Sequence, residues 1–568
     1  MLKRGRHRLS NTLSVGVPLV MGVLLLTGWG VVPHPDAYPV VASGSIEYTS
    51  GPYQSRSDTL HIGIVFSGNF FPLPPALLPN GPESWIMSQV YGPGLILPST
   101  KTNGNDLPQV ALACGITEGV VPGTTFFSVK EGVRFHDNSQ LTLADIKATF
   151  ERYQRLAEDD NPAIDSAFKY INSIEIEPDQ NRLSVVMPDW MKVQPYRVAT
   201  VAPLAPALGE LSRLGVDEEP IGLGGYTYRL ATEPTGAGGA RRGVIYLRAF
   251  EGYFEGSPEI KNIAVHLYPN DRELIQAFIT GDVHVARLPT HRVTTALSEL
   301  LKGSPLERNS LVRMYPRPNH FFFLAFNNAR FPFNITGVRS ALARAIDREA
   351  MADEPPAWGV ITDLPVHPRS SLGRSGHSAY LPTAAKRMLQ ETGLLRRGEP
   401  TDRTGQPIRL SLIYPDHVAL YEEMALQIKN DLQRIGFRID AEPVSPEIVR
   451  KRLREGDYLL AISEMTLPST PGAIRRLFYS TNAASGLNFS RYRNLTFNTS
   501  IDAVIRQRVP NPESYLDSAV RLLGDEFPLL PLFFQANEYY VFNNSIVAPN
   551  SVGRVLSRLE PIAKWKWR

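Results

Sequence analysis

Cysteine is almost absent from this sequence: Cys114 is the single one in 568 residues. An intrachain disulfide is therefore excluded, and so is a zinc or iron–sulfur centre built on several thiolates. Charge imbalance is missing too. Lys and Arg number 59 against 56 Asp and Glu, and the resulting +3 is too weak a field to gather nucleic acid. The 11 histidines are scattered without an HExxH pair, so neither a metal site nor a cofactor is expected. GxSxG, GxxxxGK[ST] and GxGxxG are also lacking, which removes the nucleophile elbow, the P-loop and the dinucleotide fingerprint. What is present is globular: 43% of residues are hydrophobic and 20% charged. At roughly 150 residues per domain the length allows about three or four compact units.

One long apolar run stands out. Lys3, Arg4, Arg6, His7 and Arg8 precede Leu13 to Val32, 20 residues without a charge. At about 1.5 Å per residue such a run spans a hydrocarbon core of roughly 30 Å, with its basic flank on the cytoplasmic side. A cleaved signal has a shorter apolar region of about 7–15 residues before a small-x-small site. Here the nearest such site, Val40-Val41-Ala42, lies well beyond the run. An uncleaved anchor over 1–33 is favoured and a cleaved signal sequence is the alternative. No cysteine follows to carry a lipid. Residues 34–57, rich in Pro, Gly, Ser and Tyr, read as a linker. The expected place is the outer face of the cytoplasmic membrane.

The body beyond reads as α/β. Leu60 to Phe66 alternates as a strand whose even positions face a core. Thr142-Leu-Ala-Asp145 has the form of a capping box, ahead of Ile146, Phe150 and Tyr153 at helical spacing. Asp271 is expected to cap a helix carrying Leu274 and Phe278, ended by Gly281. Phe321 to Phe326 is a strongly apolar strand. Strands at Ile408–Leu412, Phe437–Ile439 and Tyr458–Ile462 alternate with helices, which argues for a mainly parallel sheet.

Few motifs carry chemistry. Ser166-Ala-Phe-Lys169 matches SxxK, the pattern of a serine nucleophile with a lysine base, but no SDN or KTG accompanies it, so a serine hydrolase is the weakest of the functional readings. Gly222-Leu-Gly-Gly225 reads as a turn, and His367 and His377 as surface histidines. Tyr414-Pro-Asp-His417, Asn488-Phe-Ser-Arg-Tyr492 and Phe533-Phe534-Gln535 combine aromatic walls with amides and hydroxyls, a composition suited to a ligand cleft.

Longer motifs point to a family. Phe127-Ser-Val-Lys-Glu-Gly-Val-Arg-Phe-His-Asp137, then Leu141-Thr-Leu-Ala-Asp-Ile146, resembles the "F-x-L-R-x-G-V-x-F-H-D-G … T-A-x-D-V" signature of the family 5 extracellular solute-binding proteins, with Asn138 in place of the glycine. Glu251 to Pro258 is similar to "Y-W-x-G-x-P". Leu324-Ala-Phe-Asn-Asn328, Gly337-Val-Arg-Ser-Ala-Leu342 and Ala345-Ile-Asp347 resemble "L-x-F-N-T … V-R-x-A-L-x-x-A-I-D". The likeness covers roughly Leu60 to Pro549.

The resemblance implies a two-lobed, periplasmic-binding-protein-like α/β fold of type II with an inserted subdomain. Lobe I is expected from 58–95, 222–315 and 535–568, the insert from 96–221 and lobe II from 316–534. It implies no enzymatic activity and no cofactor. The implied role is capture of a peptide or peptide-like small solute for an ABC permease in the inner membrane, with the N-terminal helix holding the receptor at the membrane. A membrane-anchored sensor or accessory protein that keeps the fold without transport is the alternative. By resemblance the ligand would meet Ser67, Gly68, Asn69, Phe70, Tyr414, His417, Glu464, Met465, Thr466, Leu467, Asn488, Tyr492, Phe534 and Gln535. In peptide-binding members an aspartate anchors the peptide amino terminus four residues before a proline. Here Leu467 takes that position before Pro471, and Glu464 or Asp416 is left to supply the negative charge.

Overall fold

A computed structural model describes residues 58–66, 72–75, 82–97, 109–158, 166–188, 196, 198–206, 220–232, 243–316, 319–352, 360–370, 372–374, 376–467, 470–483, 488–506, 512–535, 537–543, 545–547 and 561–568, all within the compact unit Gly44–Arg568. The apolar run Leu13 to Val32 lies outside them, and among the described residues no helix is long and apolar enough to cross a membrane.

The first strand, β1 (Thr59–Val65), behaves as its alternation dictates: Leu60, Ile62 and Ile64 are fully buried on one face. On the other face Gly63 allows a close approach, since a Cβ there would lie 2.4 Å from a methyl of Leu274. After α1 (Pro82–Tyr91) the chain builds a separate antiparallel sheet from β2 (Ala113–Glu118), β3 (Thr124–Val129), β4 (Ser173–Glu177) and β5 (Arg182–Val186), in the order β2-β3-β5-β4. Helix α2 (Leu143–Glu158) packs on it through buried Ile146, Phe150 and Tyr153. Its start is the expected reciprocal cap: Thr142 donates its N–H to Asp145 Oδ2 (2.8 Å) and Asp145 donates its N–H to Thr142 Oγ1 (3.3 Å).

The long signature motif turns out to be a joint. The N–H of His136 donates to the Gly222 carbonyl (3.0 Å), Gly222 N–H donates to His136 Nδ1 (3.3 Å), and Nε2 donates to the Gly224 carbonyl (3.0 Å). Burial holds this imidazole below its ordinary pKa, which suits a ring that must keep Nδ1 as an acceptor. Asn138 sits at φ 68°, the left-handed region where asparagine is the best substitute for glycine. The run Gly222 to Gly225 is less a free turn than a close contact: a Cβ on Gly224 would fall 2.1 Å from the Gln89 carbonyl oxygen of α1.

The chain then continues through β6 (Tyr226–Thr232), β7 (Gly243–Ala249), β8 (Asn262–Tyr268), α3 (Asp271–Thr280), β9 (Val285–Leu288), α4 (His291–Leu301) and β10 (Ser310–Pro316). It crosses to β11 (His320–Phe326), whose seven residues are all buried; fully burying a Phe or Leu contributes about 1.5–3 kcal/mol each. The second lobe follows with α5 (Thr336–Ala345), α6 (Arg348–Met351), β12 (Arg409–Pro415), α7 (Ala419–Arg434), β13 (Arg438–Val444), α8 (Pro446–Glu455), β14 (Leu460–Thr466) and β15 (Leu529–Phe534). Finally β16 (Asn537–Asn543) returns to the first sheet. The two large sheets run β10-β16-β9-β1-β8-β7-β6 and β13-β12-β14-β11-β15.

One expectation is qualified and two are corrected. The three strands expected to be parallel are so, β12 pairing in parallel with β13 and β14, but β11 runs antiparallel to both β14 and β15 and makes the second sheet mixed. Asn270, not Asp271, caps α3, because its extended backbone lets Oδ1 accept the Glu273 N–H. His367 is 7% exposed rather than a surface residue, its ring edge-on to Phe534 at 5.3 Å.

Candidate functional site

The two lobes are joined side by side at two crossings. β10 pairs with β16 down to Pro316 and Asn537, and β11 pairs with β15 from Phe321 and Phe534, so one antiparallel ribbon continues into the other. The joint is stitched by Gln535 N–H donating to the His320 carbonyl (3.0 Å) and by Gln535 Nε2 donating to the Pro289 carbonyl of the first lobe (3.0 Å). Leu467 N–H donates to the Asn319 carbonyl (3.0 Å), tying the end of β14 to the same place.

Register then assembles a polar group at this joint. Opposite pairing of His320 with Thr466 and of Phe322 with Glu464 puts these side chains on one face of the sheet. His320 is 1% exposed and sits between Thr466 Oγ1 (3.2 Å from Nδ1) and Glu464 Oε2 (3.3 Å from Nε2). Nδ1 makes the hydrogen bond, to the Thr466 hydroxyl, whereas Nε2 lies within ion-pair distance of the Glu464 carboxylate without hydrogen-bond geometry. Glu464 is thereby oriented by a buried ring while its side chain remains 38% exposed.

His417 leads into α7 and stacks on Tyr421 with ring centroids 5.4 Å apart. Burial pushes its pKa down, opposed by the negative charges of Glu464, Asp416 and Asp271, so carboxylates from both lobes act on one imidazole. Its Nδ1 is buried without a hydrogen-bond partner. Asp271 itself reaches across: its Oδ2 accepts the Ala419 N–H at the start of α7 (3.2 Å). Arg292 of α4 makes a second bridge, pairing with Glu423 and donating to the Ala350 carbonyl (3.3 Å).

The first lobe contributes an ionic set of its own. Arg287 contacts Glu538 (Nη2 to Oε1, 3.2 Å) and Tyr540 (Nε to Oη, 3.2 Å), and Trp85 leans on Tyr540 with centroids 6.1 Å apart. Burial holds the Glu83 carboxyl above its usual range, against the pull of Arg450 from the second lobe and Arg287 from the first. Among the described residues no group of three or more His, Cys, Asp or Glu could hold a metal ion.

The structure brings some of the sequence-selected residues together and separates others. Glu464 and Thr466 flank His320, and Leu467 and Gln535 stand at the same joint. Met465 turns to the opposite face, packed with the cluster of Phe321 and Phe323. Tyr414, 8% exposed, ends β12 just before His417. Asn488 is fully buried: its Nδ2 donates to the Tyr492 carbonyl (2.7 Å) and its Oδ1 accepts the Tyr492 N–H (3.0 Å). Tyr492 and Phe534 lie in the same apolar cluster, Phe534 stacked on Phe321 at 4.9 Å. Ser67, Gly68, Asn69 and Phe70 lie outside the described residues. His320, Arg287 and Glu538 were not singled out from sequence, and Asp271 was read only as a helix cap. His320 alone carried a signal, as the one polar residue opening an otherwise apolar strand.

Similarity to known proteins runs along most of the chain. The family model described as bacterial extracellular solute-binding proteins, family 5 Middle, matches residues 123–485. Oligopeptide-binding protein AppA of Bacillus subtilis is 22% identical over 395 residues, covering 64% of this chain and 67% of that one. Its solved structure, in complex with a nonapeptide, superposes with a TM-score of 0.70 at 18% identity, covering 90% of this chain and 99% of that chain. NikZ of Campylobacter jejuni in complex with Ni(L-His) gives 0.69 at 16% identity, covering 86% and 95%. These likenesses establish a two-lobed, periplasmic-binding-protein-like fold.

Proposed function

Because the chain belongs to the bacterial extracellular solute-binding proteins of family 5, we propose that it captures a peptide or peptide-like small solute between its lobes and presents it to an ABC permease outside the cytoplasmic membrane. The observation that carries this reading is the joint: two lobes linked by paired strands, with Glu464, Thr466, His417 and Gln535 gathered where the sheets meet. Hinged closure around a solute is the motion such a linkage permits. The lobes correspond to 58–95, 222–315 and 535–568 for the first and 316–534 for the second, with 96–221 inserted.

The negative charge of Glu464 suits a cationic group on the solute, such as a free amino terminus, while Tyr414 and Leu467 offer apolar surface beside it. Asn488, Tyr492, Met465 and Phe534 act from behind, by holding the packing of the second lobe. Ser67 to Phe70, which come next in sequence after Phe66, are part of this reading as ligand contacts. Leu13 to Val32 exports the chain or tethers it, keeping the receptor near its permease at raised effective concentration. No chemistry is performed on the solute; transport energy comes from the partner ATPase.

The test is native mass spectrometry and calorimetry on the full chain, with trialanine, N-acetyl-trialanine and the nickel–histidine complex as probes. A retained solute or a saturable, chemically unaltered probe supports capture. Absence of any bound species together with no response to all three probes, or release of an altered probe, overturns it.

A further inference from the structure

A second polar group lies away from the joint. Three imidazoles stand on the neighbouring strands at the heart of the first sheet, at the end where β1 begins. His61 of β1 places Nδ1 2.8 Å from Nε2 of His266 on β8, with the rings stacked at 5.1 Å. The His61 main-chain N–H donates to Nδ1 of His284, just ahead of β9, at 3.0 Å. His284 is 8% exposed, and Trp567 of the terminal strand Lys566–Trp567 meets its ring at 5.5 Å and 85°. The His284 carbonyl in turn accepts the Asn543 N–H of β16 (2.8 Å).

Each contact fixes a protonation state. Between His61 and His266 one nitrogen donates and the other accepts, so the bridge holds a single proton. His284 must keep Nδ1 bare to accept the His61 N–H. Adding a proton to His284 Nδ1 sets two N–H groups face to face; protonating both rings of the bridge does the same at 2.8 Å.

We propose that this row of three imidazoles is an acid-sensitive clasp, which ties the C-terminal strand and β16 to the centre of the first lobe and loosens as the surrounding pH falls. The charged groups around it do not rescue the protonated form. Asp282, between α3 and β9, favours a charged His61, but burial of the ring outweighs it. Lys566, flanking Trp567, is paired with Glu259 at 3.8 Å, and Arg568 follows it; both are cationic. On the other neighbouring strand Val244 of β7 is the residue opposite His266. Burial lowers the pKa of His61, and burial with the adjacent His61 and His266 lowers that of His284 to about 4.

The sign follows from linkage. An opened form takes up a proton at His284 below about pH 6.5, whereas the clasped form resists until about pH 4. The clasp is therefore complete above pH 6.5 and is lost progressively as pH falls towards 4. At pH 5 the difference amounts to roughly a 30-fold change in the clasp equilibrium for His284 alone.

The test compares urea unfolding of the full chain at pH 7.5 and pH 5 for the wild type and for His284→Asn, whose amide oxygen can accept the His61 N–H without titrating. The wild type should lose roughly 30-fold more in folding constant than the variant between the two pH values. Parallel losses overturn the proposal. If the variant does not fold, hydrogen exchange of the wild-type segment 562–568, corrected for intrinsic rates, decides: protection should fall between pH 6.5 and 4, and constant protection across that window overturns it.

Discussion

Removing the carboxylate of Asp271 should open the molecule without unfolding it. Helix α7 has 16 residues, and Val418 at its N-cap offers no side-chain hydrogen bond. The Asp271 Oδ2, donated by the opposite lobe, takes the Ala419 N–H at 3.2 Å. An N-cap acceptor contributes about 1 kcal/mol, and a partly buried negative charge at a helix N-terminus adds about 0.3–1 kcal/mol. Because donor and acceptor belong to different lobes, that sum opposes separation rather than local fraying. At 1.4 kcal/mol per tenfold, Asp271→Ala should raise the open-to-closed ratio roughly 10-fold, and Asp271→Asn, which keeps the acceptor, by less. Spin labels on exposed Leu300 and Leu426, in a Cys114→Ser background because Cys114 is exposed, would read the inter-lobe distance. Identical distance distributions for parent and Asp271→Ala, with only a lower melting temperature, would refute the reasoning.

Further outcomes follow from the same contacts. Glu464→Gln keeps the shape of the side chain beside His320 but removes the charge, so affinity for trialanine should fall about 10-fold by calorimetry while N-acetyl-trialanine is little affected, charge-assisted bonds being the stronger ones. Gly224→Ala places a Cβ against the Gln89 carbonyl and should cost at least 1–3 kcal/mol in urea unfolding. Arg348, 2% exposed, donates to the Thr362 and Pro531 carbonyls (3.0 and 3.1 Å) and pairs with Asp363 at 2.6 Å; Arg348→Met should cost about 3–5 kcal/mol, partly recovered in the double variant with Asp363→Asn.

Local physics was legible in the sequence wherever a single element decided the outcome. The Thr142–Asp145 box is realised because it needs no distant partner, and the alternation at Leu60, Ile62 and Ile64 marks the buried face of β1 although its partners β8 and β9 come much later in the chain. Asp271 misled because Asn270 beside it competes for the same role, and an extended φ of −152° gives Asn270 the cap. The freed carboxylate then serves another lobe, which no local pattern announces. His367 misled for a related reason: a histidine in a Pro/Ser/Gly-rich loop reads as solvated until Phe534, 167 positions later, covers it. The signature around His136 was visible as a string, but its physical work of clamping Gly222 and Gly224 was not. At the joint, Glu464 stood out by its charge, whereas its partnership with His320 depends on strand register fixed by tertiary pairing.

The position of β16 has a consequence for how the molecule is made. This strand, which follows every other strand of its sheet along the chain, inserts between β10 and β9. Until it emerges from the ribosome, the first sheet is a five-strand fragment with an open edge at β9 and a detached β10. The second lobe, continuous in sequence from β11 to β15, can fold before the first is finished. Any product that stops short of Asn537 therefore carries one finished half and one exposed template for mispairing, so the half begun first is the one completed last.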